Sequence, residues 1–376
     1  MKRAIGVAAV VLLAAACGGG DDDGGGGDGD VLGGGGGGFA AQIAALPVPA
    51  DADDAVLTVT FGDLARAAEL AGVDLPAVRD ADTDEQIDVL NAITGVMYDE
   101  DDPGEPVGAL PPEAAHIQEL VGIDEFTAEV GWNIFDVQQF VEVPFPPDDV
   151  TVLQGDFDED ALTEAMGEPE DGVWVVGTPG ELTVEDRSPA RPIGEALWLS
   201  LDDDRLIVSK TEEGMAVARG ADGPTAGDDE VLASLAGALD GADAYSGMLA
   251  RGDMGGGGLA PGRMTPEQME AACEDALQTP FAGVAAGIAE DDGPVFLFAY
   301  ATADEDAAAA TAEEVEQLVT EGGSFITQEA WSERFTFDSA ETDGNVAVVR
   351  LRPAEPGPAI LWANIVQQRD SLTSYC

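Results

Sequence analysis

Short apolar segments with two different periods alternate along most of this chain. Val56, Leu57, Val59 and Phe61 read as a strand, and Gly62 to Ala71 reads as a helix stopped by Gly72. Asp84 to Met97 is a second predicted helix, with Ile87, Leu90 and Ile93 on one face. Asp99 to Gly104 makes the stretch between Tyr98 and Pro112 an acidic loop, and another helix is expected from Pro112 to Val121. The period then changes. Gln138 to Val143 and Val150 to Gln154 read as strands around Pro144-Phe145-Pro146-Pro147. A helix at Asp158 to Met166 and a strand at Val173 to Gly177 follow. Strands Glu195 to Leu201 and Arg205 to Ser209 flank Asp202-Asp203-Asp204 as a hairpin. Helices at Thr211 to Arg219 and Asp229 to Leu239 lead to a strand at Ala244 to Ala250.

Arg251 to Gly262 is rich in glycine and marks the best internal boundary. Thr265, Pro266 and Gln268 then form a helix-start signature of N-cap, first-turn proline and capping-box partner. Strands Gly283 to Ala289 and Val295 to Tyr300, a helix Asp304 to Thr320, strands Arg334 to Asp338 and Val346 to Leu351, and a helix Ala359 to Asp370 complete the chain. The expected class is α+β, with mixed or antiparallel sheets and helices packed on one face. The C-terminal ββαββα order suggests a ferredoxin-like plait. The expected division is an α+β domain over 39–250, a linker over 251–264 and a second α+β domain over 265–376. One echo runs through it. Asp158-Glu159-Asp160-Ala161 and Asp304-Glu305-Asp306-Ala307 both follow a strand and open a helix, which suggests two related halves.

The first residues have a different texture. Lys2 and Arg3 precede an unbroken small and apolar run, Ala4 to Ala16, that ends at Cys17. That is the charged region, apolar region and small-residue cleavage zone of an export signal, too short for a membrane span of about 20 residues. Ala14-Ala15-Ala16-Cys17 resembles the lipobox of bacterial lipoproteins, with Leu13 one place earlier than the commonest pattern puts it. The resemblance covers residues 1–17. It implies removal of a signal peptide over 1–16, a diacylglycerol thioether and palmitate on Cys17, and anchorage at the extracytoplasmic face of the cell membrane. Plain secretion is the alternative. Gly18 to Gly38, almost entirely glycine and aspartate, then serves as a tether, so that 17–38 is lipidated cysteine plus spacer. Its average reach is about 25 Å.

Charge narrows the partners. The 376 residues carry a formal charge of −60, from 75 acidic and 15 basic side chains. Such a surface repels phosphate backbones and excludes nucleic acid as a partner. Its simplest use is hydration of a solvent-exposed protein, with cation sites among the carboxylates as the sharper reading. Hydrophobic residues make up 45%, enough for a sizeable core. With Cys17 taken by lipid, Cys273 and Cys376 remain as an even pair in an oxidising compartment. A disulfide between them would close a long loop worth up to about 4–5 kcal/mol; two unrelated thiols are the other reading.

Candidate chemistry is sparse. His116 is the sole histidine, no Gly-x-Ser-x-Gly elbow accompanies it, and a structural or surface role suits it best. Zinc sites of histidine and cysteine are excluded by count. Asp80, Asp82 and Asp84 have the spacing of the first EF-hand ligands, but Glu85 stands where glycine is needed and Asn91 where glutamate is. Asp156, Asp158 and Asp160 repeat the spacing with Gly167 at the last place. Both read better as acids at helix N-termini. Arg251-Gly252-Asp253 matches an integrin-binding tripeptide with nothing else in support, and Trp132, Trp174, Trp198, Trp331 and Trp362 read as core. No catalytic residue, metal ligand or cofactor is nominated. The expectation is a non-enzymatic cell-envelope lipoprotein, a binding or structural module that meets the membrane through its lipid and an envelope partner or small ligand through its body. A substrate-binding lipoprotein of an importer is the alternative, with two lobes of βα units; an envelope hydrolase ranks third.

Overall fold

The computed structural model describes residues 38–48, 57–79, 81–95, 107–115, 122–145, 148–180, 184–220, 223–251, 273, 276–324, 326–354, 361–368 and 370–375. The signal peptide with Cys17, most of the tether, the acidic loop over 98–106, His116, the linker beyond Arg251, the helix start at Thr265 and Cys376 lie outside them.

One antiparallel sheet organises the molecule. Its strands are β1 (Leu57–Asp63), β2 (Val137–Phe145), β3 (Asp148–Gly155), β4 (Trp174–Val176), β5 (Leu197–Asp202), β6 (Arg205–Ser209), β7 (Ser246–Arg251), β8 (Phe281–Glu290), β9 (Pro294–Thr302), β10 (Phe335–Asp343) and β11 (Val346–Pro353). They lie in the order β10-β11-β9-β8-β7-β1-β2-β3-β6-β5-β4. The helices are α1 (Phe39–Ala44), α2 (Leu64–Ala71), α3 (Leu75–Val78), α4 (Thr83–Thr94), α5 (Ile123–Val130), α6 (Glu159–Met166), α7 (Glu212–Arg219), α8 (Glu230–Gly241), α9 (Glu305–Glu321) and α10 (Leu361–Gln368).

The α+β class is as expected, but helices cover both faces rather than one. On the first face, α2, α6, α9 and α10 bury Phe140, Leu153, Phe296, Phe298, Val349 and Leu351. On the second, α1, α7 and α8 bury Val59, Phe61, Val141, Val152, Leu297 and Ala299. The reason is legible in β9: Val295 to Ala301 is apolar at every position, as a strand buried on both sides requires. Small residues on β8 let α8 approach closely. A Cβ on Gly283 would stand 2.5 Å from Val231 Cγ1, and one on Gly287 would stand 3.4 Å from Leu239 Cδ2.

Counting outwards from the centre, the sheet repeats itself. One direction reads β1-β2-β3-β6-β5 and the other reads β7-β8-β9-β11-β10, with β1 and β7 paired antiparallel between them. In the second unit α9 links β9 to β10, two places further out; in the first, α6 and the edge strand β4 together link β3 to β5, which is likewise two places out. This is the split β-α-β arrangement, and β8, β9, α9, β10, β11 and α10 carry the expected ββαββα order. The repetition extends to irregularities. β2 has a bulge between Val137 and Gln139, and β8 has one between Phe281 and Gly283. The Asp-Glu-Asp-Ala echo falls on matching places too: Asp158 caps α6 by accepting from the Asp160 N–H, and Asp304 caps α9 by accepting from the Ala307 N–H.

The division expected at 251–264 falls between β7 and β8, which are hydrogen-bonded neighbours in this sheet. Cys273 is disulfide-bonded, to a partner outside the described residues. Nearby, the Leu277 N–H donates to the Ser374 carbonyl at 3.2 Å, and Tyr375 packs edge-on against Phe281.

Candidate functional site

A concavity of about 720 Å³ opens at the end of the central β1–β7 pair. β1 supplies Phe61, Gly62 and Asp63, and α2, which begins at once, adds Arg66. Asp63 works twice here. Its Oδ1 accepts from the Arg66 N–H at 2.8 Å and caps α2, while its Oδ2 accepts from Gln139 Nε2 at 2.8 Å. Gln139 Oε1 in turn accepts from Gln42 Nε2 at 2.6 Å, so a chain of amides crosses from β1 through β2 to α1. Asp240, near the end of α8, receives the Phe39 and Ala40 N–H groups of α1 at 2.7 and 2.9 Å. Asp243, Tyr245 and Glu290 complete the polar wall, and Phe39 stacks on Phe61 at its floor. Asp243 holds φ at +56°, a left-handed conformation that aspartate and asparagine tolerate better than most residues. Burial pushes the Tyr245 hydroxyl above its ordinary range, and it donates to the Val107 carbonyl at 2.6 Å.

A second polar cluster lies on the first face, where residues 107–115 cross the sheet. Lys210 Nζ meets Asp149 Oδ2 at 2.8 Å and Glu113 Oε1 at 3.0 Å, and the Lys210 N–H donates to Asp149 Oδ1 at 3.0 Å. Glu142 Oε2 accepts from the Glu113 N–H at 3.0 Å. Desolvation above all pushes the Glu142 carboxyl up to about 8; the Glu113 N–H and Lys210 lower it, and the Glu113 and Asp149 carboxylates raise it further. Burial alone would lower the Lys210 ammonium, yet Asp149 and Glu113 outweigh it and hold the group above its ordinary value. Lys210 is the only lysine in the chain besides Lys2. A smaller hollow of about 620 Å³ lies beside Arg79, Gln86, Asp124 and Asn133, where Arg79 pairs with the buried Asp136 at 2.7 Å.

The residues nominated from sequence gather at neither place. Asp82 caps α4 by accepting from the Glu85 N–H, and Asp158 caps α6; their spacing is that of helix starts. Asp80 and His116 lie outside the described residues. Arg251 ends β7 and pairs with Asp229 at 2.6 Å. All five tryptophans are buried, as core residues should be. Among the described residues no group of three or more histidine, cysteine, aspartate or glutamate side chains is arranged to hold a metal ion, and no helix is long and apolar enough to cross a membrane. The cleft residues come from six separate elements, so no spacing along the chain marks them.

Neither a family model, nor a curated protein, nor a solved structure matches this chain.

Proposed function

We propose that this chain is a lipid-anchored envelope protein whose body binds a small organic cation in the cleft at the centre of the sheet. The cleft itself carries the reading. Its volume of about 720 Å³ is in the range of small-molecule sites. Its wall sets four carboxylates (Asp63, Asp240, Asp243 and Glu290) against one guanidinium, Arg66, with the Gln42 and Gln139 amides between them. Carboxylates and amide oxygens accept hydrogen bonds, so the complement is a donor-rich cation such as a diamine or a guanidinium compound. The importer-receptor alternative implies two lobes of βα units; a single antiparallel sheet with hairpin connections supports the first reading instead.

Calorimetry with diamines and guanidinium compounds tests it, with Asp243→Asn as the control variant. Asparagine keeps the left-handed backbone and removes one charge. The expected result is saturable heat from at least one cation in the native chain and roughly tenfold weaker binding in the variant, the equivalent of about 1.4 kcal/mol. No heat from any cation, or equal affinity in both proteins, would overturn it.

A further inference from the structure

The two units of the sheet can be compared position by position. Taking the bulges as reference, Val137 matches Phe281 and Glu142 matches Ala286. Across the ladders, Thr151 pairs with Glu142 and Val208, and Phe298 pairs with Ala286 and Val349. Two residues along each strand, Asp149 matches Phe296 and Lys210 matches Leu351. Ala286, Phe296 and Leu351 are buried in the apolar core of the first face. The same fold therefore packs these three positions without charge, and the Glu142–Asp149–Lys210 cluster is not something the sheet needs in order to form.

What covers the positions also differs. After β11, α10 returns over the first face and buries Trp362, Ala363 and Ile365 there. After β6, α7 goes to the second face and buries Met215 and Ala218. The place left open on the first face is crossed by residues 107–115. One end of this segment is fastened to α4, where the Val107 N–H donates to the Ala92 carbonyl and the Gly108 and Ala109 N–H groups to the Ile93 carbonyl, and to the start of β7: Val107 C=O accepts from the Tyr245 hydroxyl, and the Leu110 N–H donates to Ser246 Oγ at 2.9 Å. The other end is fastened to the charged cluster through the Glu113 N–H and carboxylate.

We propose that residues 107–115 are a pH-responsive strap, latched by Glu142 and Lys210, whose release in alkali loosens the Tyr245 wall of the cleft. Three charged groups face Glu142: Glu113 from the strap, Asp149 from β3 and Lys210 from the end of β6. With Glu142 neutral, one ammonium stands among two carboxylates. Ionisation adds a third carboxylate to the same small volume, and the strap's own Glu113 is the member free to leave, its side chain being 67% exposed. Glu142 is partly buried beside these carboxylates, and its carboxyl is pushed up to about 8, just above neutrality. The strap stands whatever the cleft binds.

Backbone hydrogen exchange of the full chain between pH 6.5 and 9.5, corrected for the intrinsic pH dependence, tests the latch. Protection of Leu110 and Glu113 should fall at least tenfold across pH 8 in the native chain, while strands β8 and β9 keep theirs. Glu142→Gln should hold it level. Superimposable native and variant profiles, or uniform loss over the whole sheet, would overturn the proposal. If the variant does not fold, the Glu142 carboxyl carbon of the native chain can be followed by NMR. Titration near pH 8 supports the latch, and titration in the ordinary carboxylate range refutes it.

Discussion

Lys210 shows how one side chain can hold several like charges together. Its ammonium bridges Asp149 and Glu113, and its own N–H braces Asp149, so that removing it leaves the carboxylates to repel one another. Lys210 is 27% exposed and Asp149 21%, so solvent screens part of this and the full cost of breaking a buried pair does not apply. Lys210→Met should destabilise the chain by about 1–2 kcal/mol at pH 7 and low salt in urea unfolding, with the difference shrinking in molar salt. Glu142 acts in the opposite sense to most carboxylates. Its folded value is raised, so the proton it retains stabilises the fold fully below the ordinary carboxylate range, and that contribution is lost as pH rises through about 8. The sequence gives no hint of this, because Glu142 is one acid among 75 and its partners lie 29 and 68 residues away by chain, at Glu113 and Lys210.

At the level of elements, the helix ends were the most legible feature. Gly72 closes α2 in the left-handed conformation as expected, whereas Gly95 closes α4 in the same way two residues short of the expected end at Met97; Asp158, Thr211, Asp229 and Asp304 cap α6 to α9, as short polar side chains before an apolar period should. Shorter elements were not: α1, with six residues, and α3, with four, have too few turns for a period to emerge, and α5 was hidden between glycines. The helix expected at Pro112 is a single 3-10 turn at Glu113–Ala115 within the described residues. The strands of β8 and β9 were found, but not their two-sided burial, which depends on α8 docking against glycines. Gly283→Val tests that docking. The added side chain meets Val231, Leu235 and the Ala250 carbonyl, and should cost about 1–3 kcal/mol, read as a lower urea midpoint with an unchanged slope.

Over the whole molecule, the expected boundary lies at the glycine-rich stretch over 251–262, while the sheet runs unbroken from β10 to β4 and its internal repeat is centred on the β1–β7 pair. Composition marks where a chain is permitted to bend, and only strand pairing decides what it joins. Both outer strands are kept from pairing further: β4 is three residues long, and β10 is bulged and exposes Asp338, Glu341 and Asp343. The acidic surface and the glycine–aspartate spacer suit a body held off a membrane in water. The proposed membrane address is reached by one measurement. The full chain, expressed in a bacterial host fed an alkyne palmitate analogue, should take up label and sediment with membranes. Cys17→Ala should lose both. Label that persists in the variant, or an unlabelled native protein released into the medium, would contradict the account.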